Sequence, residues 1–212
     1  MRAPPLDGRR GERATPGQAG TAASKVRGSP RRGAKRRVRS QRQRCGGRRL
    51  IWYFAYGSNL DPETFEGRRR MRPLEACRAS LAGFRLVFDL PVGPGERAVA
   101  NLAADPTSSL HGVVYRLAAR DARQLDRTEG VHRGYYKRLP VQVTRDDGAL
   151  LDAFTYVSPH GQPGRKPSAR YLGLILRGAR HHGLPEDWIA TLDRFELALD
   201  ERERGPESRR PG

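Results

Sequence analysis

Two short stretches of this chain hold residue types at spacings that could do chemistry. The first is Tyr56-Gly57-Ser58-Asn59-Leu60, where an apolar run hands over to a short helix. Glycine lets a backbone approach a ligand closely. Successive amides at such a turn, with the Ser58 hydroxyl and the Asn59 amide, can form a nest for a carboxylate. The same residues also read as a plain strand-to-helix turn in which Ser58 and Asn59 serve as caps. The second stretch is Arg127-Thr128-Glu129-Gly130-Val131. Glu129 falls in the last turn of a helix, where the macrodipole disfavours negative charge. Burial there would suit it to general-base work near neutral pH. Its alternative is a solvent-exposed glutamate beside a C-capping glycine.

Other reactive residues form no further constellation. Tyr135, Tyr136, Tyr156 and Tyr171 read as half-buried core or rim residues. The five histidines make no triad and no metal set, and Gly57-Ser58 lacks the GxSxG frame of a nucleophile elbow. Two cysteines cannot build a disulfide framework, and neither has metal-ligand spacing. No run of 18 apolar residues exists, and no apolar h-region of a secretory signal lies near the N-terminus. The expectation is a cytoplasmic, reduced protein without metal or cofactor.

The elements that position these residues begin at residue 50. Leu50 to Ala55 is a continuous apolar and aromatic run, read as a buried strand. Asp61-Pro62 opens a short helix. Residues 74–80 and 83–89 read as two strands around a bend at Gly83, and 97–103 and 110–117 as two more. A helix over 118–128 ends at Gly130. Residues 136–144 and 149–157 flank Asp146-Asp147-Gly148 as a hairpin, with Pro140 marking an edge or bulge. After a Gly- and Pro-rich loop over 158–167, Ser168 caps a helix to about His182, and Pro185 opens a last helix to about Leu199. Strands in the centre with helices inserted and appended make a mixed, mainly antiparallel α+β domain over 50–200. About 150 residues bury roughly 68–70% of the unfolded surface, enough to fold alone.

Charge separates the rest of the chain from this domain. The net charge is +18, yet residues 1–50 hold 16 basic side chains against Asp7 and Glu12 alone. Residues 51–212 carry 25 basic and 21 acidic side chains and are nearly balanced. The first 49 residues contain no aromatic residue and only Leu6, Val26 and Val38 as large aliphatics, so they read as disordered. Three readings compete for them: a polyanion-binding arm using Arg31-Arg32, Lys35-Arg36-Arg37 and Arg39, a targeting segment, or an upstream extension from a misplaced start codon. Residues 201–212 form a charged tail.

Four ordered segments resemble the γ-glutamylcyclotransferase-like family. They are Tyr53-Phe54-Ala55-Tyr56-Gly57-Ser58-Asn59-Leu60; Gly112-Val113-Val114-Tyr115; Asp126 through Gly134 with Tyr136; and Pro167-Ser168-Ala169-Arg170-Tyr171 followed by Gly178-Ala179 and Gly183-Leu184-Pro185. The resemblance covers about residues 51–195. It implies a small, closed, mainly antiparallel barrel with flanking helices. It also implies an intramolecular reaction, in which the α-amine of a γ-glutamyl group attacks its own γ-carbonyl and gives 5-oxoproline plus a free amine or amino acid. No metal, cofactor or protein nucleophile is implied.

By the same resemblance Glu129 is the general base. Tyr53, Phe54, Ala55, Tyr56, Gly57 and Ser58 form the loop that anchors the substrate carboxylate, and Tyr171 contacts the glutamyl moiety. The expected partner is a small γ-glutamyl substrate, with no membrane and no nucleic acid except through residues 1–49. Arg127-Thr128 stand where many relatives carry an acidic neighbour. The basic 158–166 loop, which includes Arg165 and Lys166, is read as shaping the leaving-group side and, if it borders the site, as favouring an acidic or carboxylate-bearing acceptor. Other readings are a specialised cyclotransferase that removes a γ-glutamyl group in a biosynthetic pathway, and a non-catalytic nucleic-acid-binding protein.

Overall fold

The apolar run Leu50–Ala55 forms strand β1, whose residues pair antiparallel with the far end of a second strand, from Leu50↔Ala118 to Ala55↔Val113. That partner is β3, Ala98–Ala118, which also pairs antiparallel with β2, Glu75–Pro91. Strand β4 (Lys137–Arg145) forms a hairpin with β5 (Leu150–Val157) and touches β2 at Ala79↔Arg145 and Ser80↔Thr144. A parallel contact at Tyr53↔Phe154 joins β5 to β1 and closes the barrel in the order β1-β3-β2-β4-β5. The structure, a computed structural model, describes residues 50–199. The expectations for residues 1–49 and for the 201–212 tail lie outside those residues.

Two expected breaks turn out to be bends within continuous strands. Residues 74–80 and 83–89 belong to the single strand β2, and Gly83, with φ +81°, occupies a register shift between Ala82 and Phe84. A bulge of this kind curves a strand without ending its pairing, as a small barrel requires. Likewise 97–103 and 110–117 merge into β3. The register passes from Ala104↔Phe84 to Ser109↔Ala82, so residues 105–108 bow out of the ladder. Pro106 therefore removes no ladder bond, and Asp105 Oδ1 accepts from the Thr107 amide (3.1 Å) and hydroxyl (2.8 Å) within the bow. Pro140 sits opposite Phe154, on a strand whose other edge meets β2 only near residue 145, which agrees with an edge position.

Helix α1 (Ala119–Thr128) ends at Glu129 and Gly130, the latter at φ +67°. In α2 (Ala169–His181) the Ser168 hydroxyl accepts from the Tyr171 amide at 3.2 Å, the capping bond expected of it. Helix α3 is Glu186–Asp193, shorter than the expected run to Leu199. The chain leaves the helix because Phe195 turns edge-on to Phe88 (ring centroids 4.8 Å apart) and the Ala198 amide bonds Pro167 O at 2.8 Å.

Aromatic rings fill the barrel. Tyr53 stacks on Phe65 and Tyr115 and tilts against Phe154 and Tyr156. Phe65 lies on a six-residue π-helix, Glu63–Arg68, and stacks on Tyr115 at 4.3 Å. Gly112 admits the Phe54 ring, because a Cβ there would lie 2.7 Å from that ring and 2.3 Å from Ala55 O. No helix among the described residues is long and apolar enough to cross a membrane.

Candidate active site

Glu129 stands at the C-terminal end of α1, its amide bonded to Leu125 O at 2.9 Å and Gly130 turning the chain away behind it. Its side chain is 10% exposed, which rules out the solvent-exposed alternative. Two donors meet at one oxygen. Asn59 Nδ2 donates to Glu129 Oε1 at 2.9 Å, and an Arg69 guanidinium nitrogen lies 2.8 Å from the same atom. Arg69 also donates to Thr128 Oγ1 at 2.9 Å, and that hydroxyl donates to Leu125 O at 2.9 Å. The negative charge expected to face an unfavourable helix end is thus matched by a cation from outside the helix.

Asn59 is the link between the two stretches singled out in the sequence. It lies on a short 3-10 turn, Ser58–Leu60, and is buried. Its Nδ2 also donates to the Tyr53 hydroxyl at 2.7 Å, while Tyr115 donates to its carbonyl at 3.2 Å. The turn is closed by Leu60 N to Gly57 O (3.0 Å) and Asp61 N to Ser58 O (3.2 Å). Asp61 then caps the π-helix, its carboxylate accepting from the Thr64 amide and hydroxyl.

The expected anchor residues divide by what they can offer. Tyr53, Phe54, Ala55 and Tyr56 turn their side chains into the core, and Tyr56 donates to Tyr156 O at 2.7 Å. Only their backbone is left for a ligand. Gly57 and Ser58 face Tyr171: a Cβ at 57 would lie 3.4 Å from the Tyr171 hydroxyl, which also accepts from the Ala100 amide at 3.2 Å. Burial pushes the phenols of Tyr53, Tyr56, Tyr136 and Tyr171 above their ordinary value, and the Glu129 carboxylate adds to this at each. All four stay protonated at neutral pH, and Tyr56 and Tyr136 donate to the carbonyls of Tyr156 and Ala100.

A cleft of about 810 Å3 opens beside Glu129. Its wall includes Tyr136, and its rim carries Arg127, His132, Arg133 and His160. Arg165 and Lys166 do not line it. The 158–166 loop borders it through His160 and Gln162, and within that loop Arg165 donates to Gly95 O and to Gln162 at 2.8 Å while Lys166 pairs with Glu196 at 2.6 Å. These long side chains are held by carbonyl and carboxylate partners of their own. Among the described residues no group of three His, Cys, Asp or Glu side chains is placed to hold a metal ion. Arg69 was missed from the sequence, since nothing distinguishes it within Arg68-Arg69-Arg70.

Comparison with known proteins agrees with this arrangement. The model of the AIG2-like family matches residues 109–192. The gamma-glutamyl cyclotransferase aclK of Aspergillus oryzae is 33% identical over 165 residues, 68% of this chain and 60% of that protein, so the chain spans under two thirds of that relative. The gamma-glutamylcyclotransferase of Mus musculus is 31% identical over 148 residues, covering 68% of this chain and 78% of that one. A solved gamma-glutamyl cyclotransferase structure superposes with a TM-score of 0.63 at 28% identity, over 70% of this chain and 89% of its own. Closed barrel, flanking helices and sequence identity together make this chain a member of the γ-glutamylcyclotransferase family.

Proposed function

We propose that this protein is a γ-glutamylcyclotransferase that converts a γ-glutamyl amide into 5-oxoproline and a free amine or amino acid, with Glu129 as general base. One observation carries the reading: Asn59 Nδ2, on the Tyr56–Leu60 loop, lies 2.9 Å from Glu129 Oε1. The loop suited to hold a carboxylate and the group suited to take a proton are therefore parts of one site. The named activity of the mouse and Aspergillus relatives supports it.

The chemistry follows from what each group can do. At neutral pH the substrate α-amine is an ammonium and cannot attack. Glu129 removes one proton, and the freed amine adds to the γ-carbonyl carbon of the same molecule. As the carbon–nitrogen bond to the leaving group breaks, the nitrogen that attacked gives up a second proton and the departing nitrogen takes up two. Glu129 is the carrier between them. Backbone amides of the 53–58 loop and the Ser58 hydroxyl hold the α-carboxylate, and the Tyr171 hydroxyl orients the glutamyl group. Holding the substrate folded on itself supplies much of the acceleration, because the reaction is intramolecular. The compartment we propose is the cytoplasm.

The test is release of 5-oxoproline from γ-glutamyl dipeptides, γ-glutamylamines and glutathione, with Glu129→Gln as the control. Turnover that drops by about 100-fold or more in the variant is expected. Turnover that survives puts the base elsewhere. A folded wild-type protein inactive on the whole panel overturns the reading.

A further inference from the structure

The contacts of Glu129 are unequal at its two oxygens. Oε1 receives both Asn59 Nδ2 and the Arg69 guanidinium, while Oε2 has no hydrogen-bond partner among the described residues, and the residue lines the cleft. We infer that Arg69 is a positioning residue for Glu129: with Asn59 it fixes Oε1 and leaves Oε2 as the atom that takes the substrate proton. This rests on the cyclotransferase reading only in naming the proton as the substrate's.

The surrounding backbone is shaped to deliver this arginine. Arg69 follows the last turn of the π-helix, its amide bonded to Thr64 O at 3.0 Å, and the Met71 amide reaches Phe65 O at 3.1 Å. Single-turn π segments are rare and concentrate at functional sites. Arg70 adopts φ +55°, the one non-glycine residue in the left-handed region among the described residues. That conformation costs about 1 kcal/mol or more for a side chain with a Cβ. The chain holds it where it turns Arg69 inward, and the Arg72 guanidinium ties Glu66 O and Met71 O (both 3.0 Å) on the far side.

No other group does the same work. The phenols near Glu129 are Tyr53 from β1, Tyr56 just after it, Tyr136 before β4 and Tyr171 from α2, and all are neutral. Arg127, on α1 itself, and His132, Arg133 and His160 lie around the cleft, but none forms an ion pair with Glu129. The Arg69–Glu129 pair is largely shielded, with side chains 21% and 10% exposed, so its mutual attraction is weakly screened. A cation fixed on one carboxylate oxygen, with Asn59 on the same atom, holds the side chain in one orientation with its other oxygen free.

Arg69→Gln and Arg69→Lys separate charge from shape, and Thr128→Val, which removes one of the two Arg69 acceptors, is the milder second probe. With γ-glutamylalanine as substrate, Arg69→Gln is expected to lower kcat about tenfold or more while KM changes little. Arg69→Lys stays close to wild type, and Thr128→Val moves in the direction of Arg69→Gln by less. A readout independent of turnover is the 13C resonance of the Glu129 carboxyl at a fixed neutral pH, assigned by its loss in Glu129→Gln. A resonance that moves or broadens in Arg69→Gln supports the coupling even where no substrate turns over, in which case the cyclotransferase reading alone falls. A kcat and a carboxyl resonance that do not change in folded Arg69→Gln overturn the inference.

Discussion

Gly178 of α2 lies directly on the backbone of Leu60: a Cβ at 178 would sit 2.3 Å from the Leu60 carbonyl carbon and 2.5 Å from the Leu60 Cβ. Helix and turn touch main chain to main chain, and this contact seats the 58–60 turn on which Asn59 is carried. Gly178→Ala is expected to cost about 1–3 kcal/mol, since the atom met is backbone and cannot swing aside. Chemical denaturation measures it. Turnover of the folded fraction falls as well, because the turn must shift. An unchanged midpoint would mean that α2 can retreat without loss.

Asp126 and Glu129 share a helix but differ in role. Asp126 Oδ1 accepts from Arg138 Nε (2.7 Å) and from the Tyr156 hydroxyl (2.8 Å), and Oδ2 takes a second guanidinium bond at 2.9 Å. Arg138 also caps Ala122 O and stands 3.9 Å over the Phe154 ring. The network is partly exposed (30% and 26% for the two side chains), so Asp126→Asn is expected to cost about 1–2 kcal/mol rather than the larger value of a fully buried pair. Because Asp126 does not line the cleft, specific activity per folded molecule is expected to stay within a few-fold of wild type. Loss of activity comparable with that of Glu129→Gln, in a protein that remains folded, would refute this division.

His182 gives stability a pH dependence of known sign. Its Nε2 lies 2.9 Å from the Tyr115 hydroxyl and 3.1 Å from Leu60 O, beneath the same turn. Burial, with a contribution from neighbouring His181, pushes its pKa below the ordinary 6.5. Above 6.5 folded and unfolded chains both hold the neutral ring, and this group contributes no pH dependence. As pH falls below 6.5 the unfolded chain takes up the proton first, and stability declines until the folded pKa is passed. Urea unfolding at pH 7.5 and 5.5 should show a smaller acid loss for His182→Gln than for wild type. Equal slopes in the two proteins would assign the acid loss to other groups.

What could be read from the residues alone was local. The Tyr56–Leu60 loop, Glu129 before its glycine, the Ser168 cap and the Asp146-Asp147-Gly148 hairpin each depend on neighbours a few positions away, and each stands where expected. Arg69 was not legible, because its role depends on Thr128, 59 positions later, and on a π-helical turn that no simple periodicity announces. The two long strands were divided for a related reason. Gly83 and Pro106 signal departures from regular pairing, and only the closed barrel decides that they bend β2 and β3 rather than end them. The last helix was expected to reach about Leu199, yet Leu197 and Leu199 are exposed and the chain there follows Phe195 into its contact with Phe88.

The parallel seam between β1 and β5 makes assembly of this protein a late event. Across it Thr155 donates to Phe54 O over a separation of 101 residues, and Tyr56 reaches Tyr156 O over 100. Contacts so distant along the chain carry a large loop-closure entropy and slow the search for the native state. During synthesis Asn59 and Glu129 are both made before β5 is, and so before the barrel that holds them in register can close. The first strand, among the most apolar parts of the chain, waits unpaired on one edge while about a hundred further residues are added. Its exposure time is set by the arrival of the last strand, and that interval is when the chain is most open to aggregation and most dependent on chaperones.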